Sequence, residues 1–173
     1  MASFCTSPPS QCLALVLLLA ILMSLNTLEA LKPKLSNLQF YMHDITGGPN
    51  ATAGQVAPSQ PLNFSGTNPI AALFGSTYVI DDPLTATPDP KSTLLGRAQG
   101  IYAMSSLREF SLLMTLTYAF ISGPYKDSSI SVVGRNMVTR DVRELPIVGG
   151  TGIFRLARGY CLGDADCRLE LRY

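Results

Sequence analysis

The chain has 173 residues, enough for one domain with its own core and too few for two ordinary domains. Its formal net charge is +1 and it has no block of like charges, which excludes the electrostatic signature of a protein that binds nucleic acid or an anionic membrane. Charged residues make up only 14% of the chain and hydrophobic residues 47%. This balance favours a protein that forms oligomers or encloses a cavity.

The N-terminus accounts for part of the apolar excess. The apolar run from Cys12 to Leu25 is shorter than the roughly 20 residues that a membrane-spanning helix needs. Polar residues follow it, and then Ala30, a small residue suited to a cleavage site. We therefore predict a secretory signal peptide over residues 1–30 and a mature, secreted domain over 31–173, with a retained membrane anchor as the alternative.

The mature chain keeps two of the four cysteines, Cys161 and Cys167. Their spacing would let a disulfide close a short loop in an oxidising compartment, and two free thiols are the alternative. Secretion would also make two sequons available for glycosylation, at Asn50 and Asn63. Both lie in turn-rich sequence, where an exposed glycan is tolerated.

Residues 38–45, LQFYMHDI, predict a strand that ends at a Gly-Gly-Pro turn. Alternation places Asp44 on the same face as an aromatic ring and a thioether. A carboxylate in such surroundings needs a partner, and its pKa tends to rise. Alternatively, Asp44 caps the turn. The only histidine, His43, would point to the opposite face.

Residues 72–80 predict another strand, which we expect the sequence Asp81-Asp82-Pro83 to end as a turn. Adjacent carboxylates could also hold a metal ion. The chain offers one histidine and no other cluster of ligands, so a structural role is favoured and no metal is expected.

Residues 110–122, FSLLMTLTYAFIS, predict the longest strand, although a helix is the rival interpretation. β-branched and aromatic residues favour the strand. Both alternating faces are largely apolar. Such an antiparallel strand needs an interior on one side and a partner on the other, which indicates a barrel that forms oligomers.

Residues 142–160, VRELPIVGGTGIFRLARGY, predict two strands joined by a glycine-rich bend. The bend imitates a dinucleotide-binding loop, but strand-compatible residues follow it where that fold needs a helix. Arginines on both sides of the bend suit a barrel wall that presents polar groups to a ligand. With about eight short strands and no convincing helix after the signal peptide, the sequence predicts an all-β closed barrel or sandwich.

Five segments together resemble the plant dirigent protein family. They are FYMHDI (40–45), FGSTYVIDDPLT (74–85), GRAQGIYAMSS (96–106), EFSLLM (109–114) and VRELPIVGGTGIFRLARGY (142–160). The resemblance covers nearly the whole mature chain in the same order. It implies an eight-stranded antiparallel β-barrel and a glycoprotein secreted to the apoplast, usually a homotrimer, with a homodimer as the alternative.

The resemblance also implies a function. Members of the family bind phenoxy radicals made by a laccase or peroxidase and direct their coupling to one stereoisomer, with no cofactor and no oxidation of their own. A subgroup, the pterocarpan synthases, instead dehydrates isoflavanols to a quinone methide that cyclises. A barrel that only binds apolar ligands or wall polymers is a third hypothesis.

Individual residues acquire roles from the same resemblance. Asp44 matches the acid of the family's first strand and Arg143 the arginine before its glycine motif, so both are candidate catalytic residues. Tyr102 and Phe110 are candidates for the substrate-binding wall, with core packing as the alternative. Asn136 stands where coupling members have a second aspartate, which favours the subgroup that includes the pterocarpan synthases.

Two questions stay open at the C-terminal half. Arg143 could bind an oxygen of the ligand or form a structural ion pair with Asp141 or Glu109. The final hairpin, over residues 161–173, is shorter than is usual in the family, so closure of the barrel there is uncertain from sequence alone.

Overall fold

The structure, a computed structural model, describes residues 9–30, 34–59, 68–163 and 167–173. It divides into two units, with the boundary between Lys34 and Leu35. The first contains one helix, α1 (Pro9–Ala30), which falls within the predicted signal peptide. Among the described residues, no helix combines the length and apolar character that crossing a membrane requires.

The second unit is built from antiparallel strands. In the described residues they are β1 (Leu35–Met42), β2 (Ala53–Ala57), β3 (Thr77–Thr85), β4 (Leu94–Met104), β5 (Ser111–Phe120), β6 (Ser129–Met137), β7 (Arg143–Thr151), β8 (Arg158–Gly163) and β9 (Cys167–Arg172). Single turns of 3-10 helix lie at Ala71–Leu73, Gly123–Tyr125 and Gly152–Phe154.

The strands form a closed barrel, which confirms the predicted fold. Their spatial order is β1-β9-β8-β7-β6-β5-β4-β3-β2, and β1 also pairs with β3. Eight of the described strands therefore close the barrel, while β2 lies along β3 as an additional strand. The short C-terminal hairpin is sufficient for closure, because β9 pairs with β1 from Leu35 to Phe40.

The turn expected at Asp81–Pro83 is wrong, because β3 runs straight through it. Pro83 is tolerated near the end of the strand, where it lacks an N–H but its carbonyl still accepts a hydrogen bond from the His43 N–H at 3.2 Å. Alternation along β3 then points Asp82 into the barrel between Ile80 and Leu84, and Asp82 is 0% exposed.

The core is formed by alternate residues of the barrel strands, and β5 illustrates the pattern. Met114, Leu116, Tyr118 and Phe120 are buried in the interior, whereas Leu113 is largely exposed. The strand prediction for this segment is confirmed over Ser111–Phe120, but β4 is one residue longer than β5 in the described chain.

A disulfide joins Cys161 on β8 to Cys167 on β9. Both cysteines are buried inside the barrel, where the Tyr118 hydroxyl lies 3.9 Å from the first sulfur and 3.7 Å from the second. The bond therefore links the two strands of the closing hairpin from the interior side.

Candidate functional site

Asp44 lies in the segment that separates β1 from β2. The predicted strand through Ile45 in fact ends at Met42, so Asp44 follows the strand rather than belonging to it. The N–H groups of Thr52 and Ala53 both donate to the carbonyl of Ile45, at 2.8 and 3.2 Å. These bonds fold the segment back onto β3, because β1 and β2 both pair with that strand.

The Asp44 carboxylate accepts a hydrogen bond from the hydroxyl of Tyr102 on β4. Tyr102 is 8% exposed and its ring stacks on that of Tyr78, with 5.1 Å between ring centroids. Asp44 as a residue is exposed, but partial desolvation raises the pKa of its carboxyl, and the Tyr102 hydrogen bond opposes that rise. Desolvation first, and then the charge of Asp44, raises the pKa of Tyr102, which keeps the phenol protonated as a donor.

Asp82 is a second acid at this site and was not recognised as a site residue from the sequence. Its Oδ1 accepts a hydrogen bond from Thr52 Oγ1 at 2.5 Å, while its Oδ2 has no partner among the described residues. Burial raises the pKa of Asp82 to about 6; the Thr52 hydrogen bond opposes this and the negative charge of Asp44 adds to it. If the alternation of β3 had been continued through Pro83, Asp82 would have been assigned to the interior face of the strand.

Asn136 on β6 is buried next to the same region. Its Nδ2 lies 2.9 Å from Met114 Sδ, and Met114 stands directly opposite Tyr102 in the β4–β5 pair. The Asn136 Oδ1 is buried and has no hydrogen-bond partner among the described residues. This oxygen can accept a hydrogen bond from a ligand hydroxyl.

Arg143 and Phe110 are placed less centrally. Arg143 is half-buried at the start of β7, and its Nε donates to the carbonyl of Gly163 at 3.3 Å. Glu109, one of the acids considered as its partner, forms an ion pair with Arg135. Phe110 is half-buried just before β5 and is not part of the buried apolar cluster of the described residues.

The other residues singled out from the sequence lie outside this group. His43 is half-buried, with Nε2 at 2.7 Å from Thr85 Oγ1. Asn50 is exposed in a turn, and Asn63 lies outside the described residues. Within the described part of the chain, no group of three or more His, Cys, Asp or Glu side chains is placed to hold a metal ion.

The exposed Asp44 and the buried Tyr102, Asp82 and Asn136 have complementary chemistry. Asp44 and Asp82 are two interacting carboxyls with raised pKa, Tyr102 is a hydrogen-bond donor, and Asn136 offers an acceptor. Acids with raised pKa can donate a proton near neutral pH and take one back. The arrangement can therefore move protons at the oxygen atoms of a phenolic ligand.

Comparison with known proteins agrees with the sequence resemblance. The family described as "Dirigent-like protein" matches residues 35–168. Dirigent protein 23 of Arabidopsis thaliana is 50% identical over 138 residues, which are 80% of this chain and 71% of the relative. Pterocarpan synthase 1 of Glycine max is 45% identical over 126 residues, which are 72% of this chain and 65% of the relative.

Solved structures give the same result. The pterocarpan synthase dirigent protein PsPTS1 superposes with a TM-score of 0.66 at 41% identity, covering 80% of this chain and 92% of that chain. For the pterocarpan synthase dirigent protein GePTS1, the TM-score is 0.67 at 39% identity, with coverage of 82% and 84%. The chain therefore belongs to the dirigent family and lies near its pterocarpan synthase subgroup.

Proposed function

We propose that this protein directs the coupling of phenoxy radicals, supplied by a laccase or peroxidase, to one stereoisomer. The observation that carries the proposal is the Asp44–Tyr102 hydrogen bond beside Asp82, the acid that the apolar barrel buries. An apolar enclosure that holds two flat rings in one relative orientation selects the faces that join.

Proton transfer would complete the reaction after coupling. A protonated carboxyl donates its proton to the oxygen of the quinone methide that coupling produces, and this makes the exocyclic methide carbon, conjugated with that oxygen across the ring, electrophilic. A hydroxyl of the ligand attacks that carbon and its proton returns to the carboxylate. The carboxyl group thus gives up one proton and regains one, and Tyr102 holds Asp44 in place during both steps.

The pair of acids favours a second candidate, dehydration of an isoflavanol. The protonated carboxyl donates to the departing hydroxyl, the other carboxylate removes the phenolic proton, and water leaves to give a quinone methide that cyclises. Asn136, which occupies the position of an aspartate in coupling members, supports this candidate. The similarity to proteins named pterocarpan synthase supports it as well.

Dependence on an oxidant separates the two candidates. Purified protein is incubated with coniferyl alcohol and with an isoflavanol, each with and without a laccase, and the products are resolved by chiral chromatography. Radical coupling predicts an enantiomeric excess only when laccase is present. Dehydration predicts turnover of the isoflavanol without laccase. Racemic products and no turnover under every condition would contradict both.

The proposed setting is the apoplast, with the mature chain secreted, glycosylated at Asn50 and Asn63, and assembled as a homotrimer or homodimer. The predicted signal peptide and the family support secretion. An outward row of Val79, Ile101, Thr115 and Val133 supports assembly, since the first two side chains are apolar and 47% and 46% exposed. Mass spectrometry before and after enzymatic removal of N-glycans, together with light scattering, tests both expectations.

A further inference from the structure

A groove opens in the barrel wall beside the lower part of β1. It is lined by residues 37–40, Leu95, Phe120 and residues 122–125, and it encloses about 200 Å³. The opening arises because β3 pairs with β1 only at Tyr41 and Met42. Over Leu35–Phe40, β1 has a strand neighbour on the β9 side alone among the described strands. We call this feature the lower groove.

The lower groove is separate from Asp44 and Tyr102. Asp82 lies nearer to it, since Asp82 pairs with Ala98 and Ala98 pairs with Tyr118, two residues before Phe120. Tyr102, the partner of Asp44, lies opposite Met114 on β5, and Phe120 is six residues further along the same strand. At about 3.3 Å per residue, Met114 and Phe120 are about 20 Å apart along β5, and Phe40, the lining residue that is nearest to Asp44 in the chain, is at most about 14 Å from it. A single ring in the lower groove therefore does not reach Tyr102, the hydrogen-bond partner of Asp44.

Aromatic rings form the inner wall of the lower groove. The centroids of the Phe40 and Phe120 rings are 6.0 Å apart, and Tyr125 lies 5.8 Å from Phe120. None of the residues that line the groove is charged. A charged ligand would lose hydration there without gaining a partner, whereas a neutral aromatic ring gains ring-to-ring contacts.

The volume of the lower groove and the polar groups on its rim further restrict the kind of ligand that fits. An apolar cavity of about 150 Å³ accommodates a benzene molecule, so a volume of 200 Å³ suits one ring with a short side chain. Ser122 on the rim donates its hydroxyl proton to the carbonyl of Leu94 at 2.7 Å. Its oxygen keeps lone pairs that can accept a hydrogen bond from a ligand hydroxyl.

We propose that the lower groove is a second ligand site, which binds a neutral single-ring phenol independently of the Asp44 site. The preference for one neutral ring follows from the lining of the groove. The choice of a phenol rests on the proposed function, in which phenols are the substrates. One barrel would then hold a phenol at each of two separate levels.

Methyl NMR tests the proposal. The domain, residues 31–173, is labelled at leucine and methionine methyl groups and titrated with 4-propylphenol in the absence of laccase. Leu38 lies in the lower groove and Met114 beside Tyr102, so their signals report the two sites separately. We expect saturable shifts at Leu38. Leu95→Trp, which fills the groove, should weaken binding read at Leu38 at least about tenfold, and Ser122→Ala about threefold.

Two control substitutions leave the lower groove open, and a charged analogue tests the preference for a neutral ligand. Ile121→Trp places the same ring on a neighbouring side chain that is 48% exposed and does not line the groove, so binding at Leu38 should stay unchanged. Asp44→Asn should also leave it unchanged. The charged analogue 3-(4-hydroxyphenyl)propanoate should bind at least about tenfold more weakly than 4-propylphenol.

Each contrary result overturns the proposal. Binding at Leu38 that survives both Leu95→Trp and Ser122→Ala, or that disappears in Asp44→Asn, would show that the groove is not an independent site. Equal affinity for the propanoate would contradict the preference for a neutral ligand. Since no reaction takes place in this titration, a protein that binds here yet gives no stereocontrol would contradict the proposed function alone.

Discussion

The hydroxyl of Tyr102, on β4, donates a hydrogen bond to Asp44, which lies in the segment after β1. The contact joins two elements that are not neighbours in the barrel wall, since β3 separates β4 from β1. Because the hydrogen bond favours the ionised carboxylate, it lowers the pKa of Asp44 while desolvation raises it. Tyr102 thus both positions Asp44 and limits how readily it holds a proton.

Tyr102→Phe should raise the pKa of Asp44, because it removes the hydrogen bond that stabilises the carboxylate and leaves the desolvation. The carbon-13 chemical shift of the Asp44 carboxyl, followed against pH, measures the change. Tyr78→Phe is the matched control, since it alters the stacked partner ring and keeps the donor. An Asp44 titration identical in Tyr102→Phe and in the unsubstituted protein would show that the hydrogen bond has no energetic weight.

Asp82→Asn should abolish the pH dependence of stability that arises from titration of the Asp82 carboxyl. The pKa of Asp82 rises from 3.8 to about 6 on folding, so its favourable contribution is complete below 3.8 and is lost as the pH rises through about 6. Two pKa units correspond to about 3 kcal/mol, by which the unfolding free energy of the unsubstituted protein should fall over this window. Urea unfolding at a series of pH values should show this fall and its absence in Asp82→Asn.

The neighbouring residue provides a control of opposite sign. Asp81 is exposed and paired with Arg97, chiefly through a hydrogen bond that lowers its pKa. Its contribution to stability is present above 3.8 and is lost as the pH falls, so Asp81→Asn should flatten the acid side of the curve. If Asp82→Asn and Asp81→Asn change the same limb of the curve, the pKa of Asp82 is not raised on folding.

Asn136→Asp should shift the protein toward radical coupling. The substitution places a carboxyl where coupling members of the family have one, beside Met114, the residue that lies opposite Tyr102. With laccase and coniferyl alcohol, we expect a larger enantiomeric excess than in the unsubstituted protein, together with lower stability at neutral pH because the new carboxylate is buried. Asn136→Leu, which adds no acid, should not raise the excess.

The disulfide between Cys161 and Cys167 should stabilise the closing hairpin. The cysteines are six residues apart, and closing so short a loop contributes about 2 kcal/mol in the chain-entropy treatment. The double substitution Cys161→Ala with Cys167→Ala should lower the unfolding free energy by about this amount. Titration of the denatured domain, residues 31–173, with a thiol reagent provides an independent check, since two reactive thiols per chain would contradict the bond.

Alternation of apolar residues was sufficient to predict much of the fold. The two faces of β5 follow directly from its sequence. The bend after the glycines was placed too early, because β7 continues through Gly149 and Gly150 to Thr151 and the chain turns over residues 152–157 before β8. Pro83 was misread as the end of a strand because its missing N–H matters only where a ladder partner needs it. Because the predicted strand ended at Ile80, Asp82 was missed. Extending the alternation by two residues would have placed Asp82 on the interior face.

The candidate site depended on information that a single sequence does not carry. Alternation assigns each residue to a face of its strand, but the stagger between strands decides which residues meet in the barrel. Asp44 meets Tyr102 and Asp82 only because β1 stops at Met42 and the chain folds back along β3 before β2. Nothing in the residues around Asp44 specifies that interruption.

The most direct test of the account is the stereochemistry of the product formed by Asp44→Asn. The variant and the unsubstituted protein are given the substrate on which the latter acts, and the product enantiomers are resolved by chiral chromatography. The account predicts that Asp44→Asn, though folded, loses the enantiomeric excess or slows turnover by about 100-fold or more, as expected for loss of a proton donor. An unchanged excess and an unchanged rate would contradict it and favour a barrel that only binds its ligands.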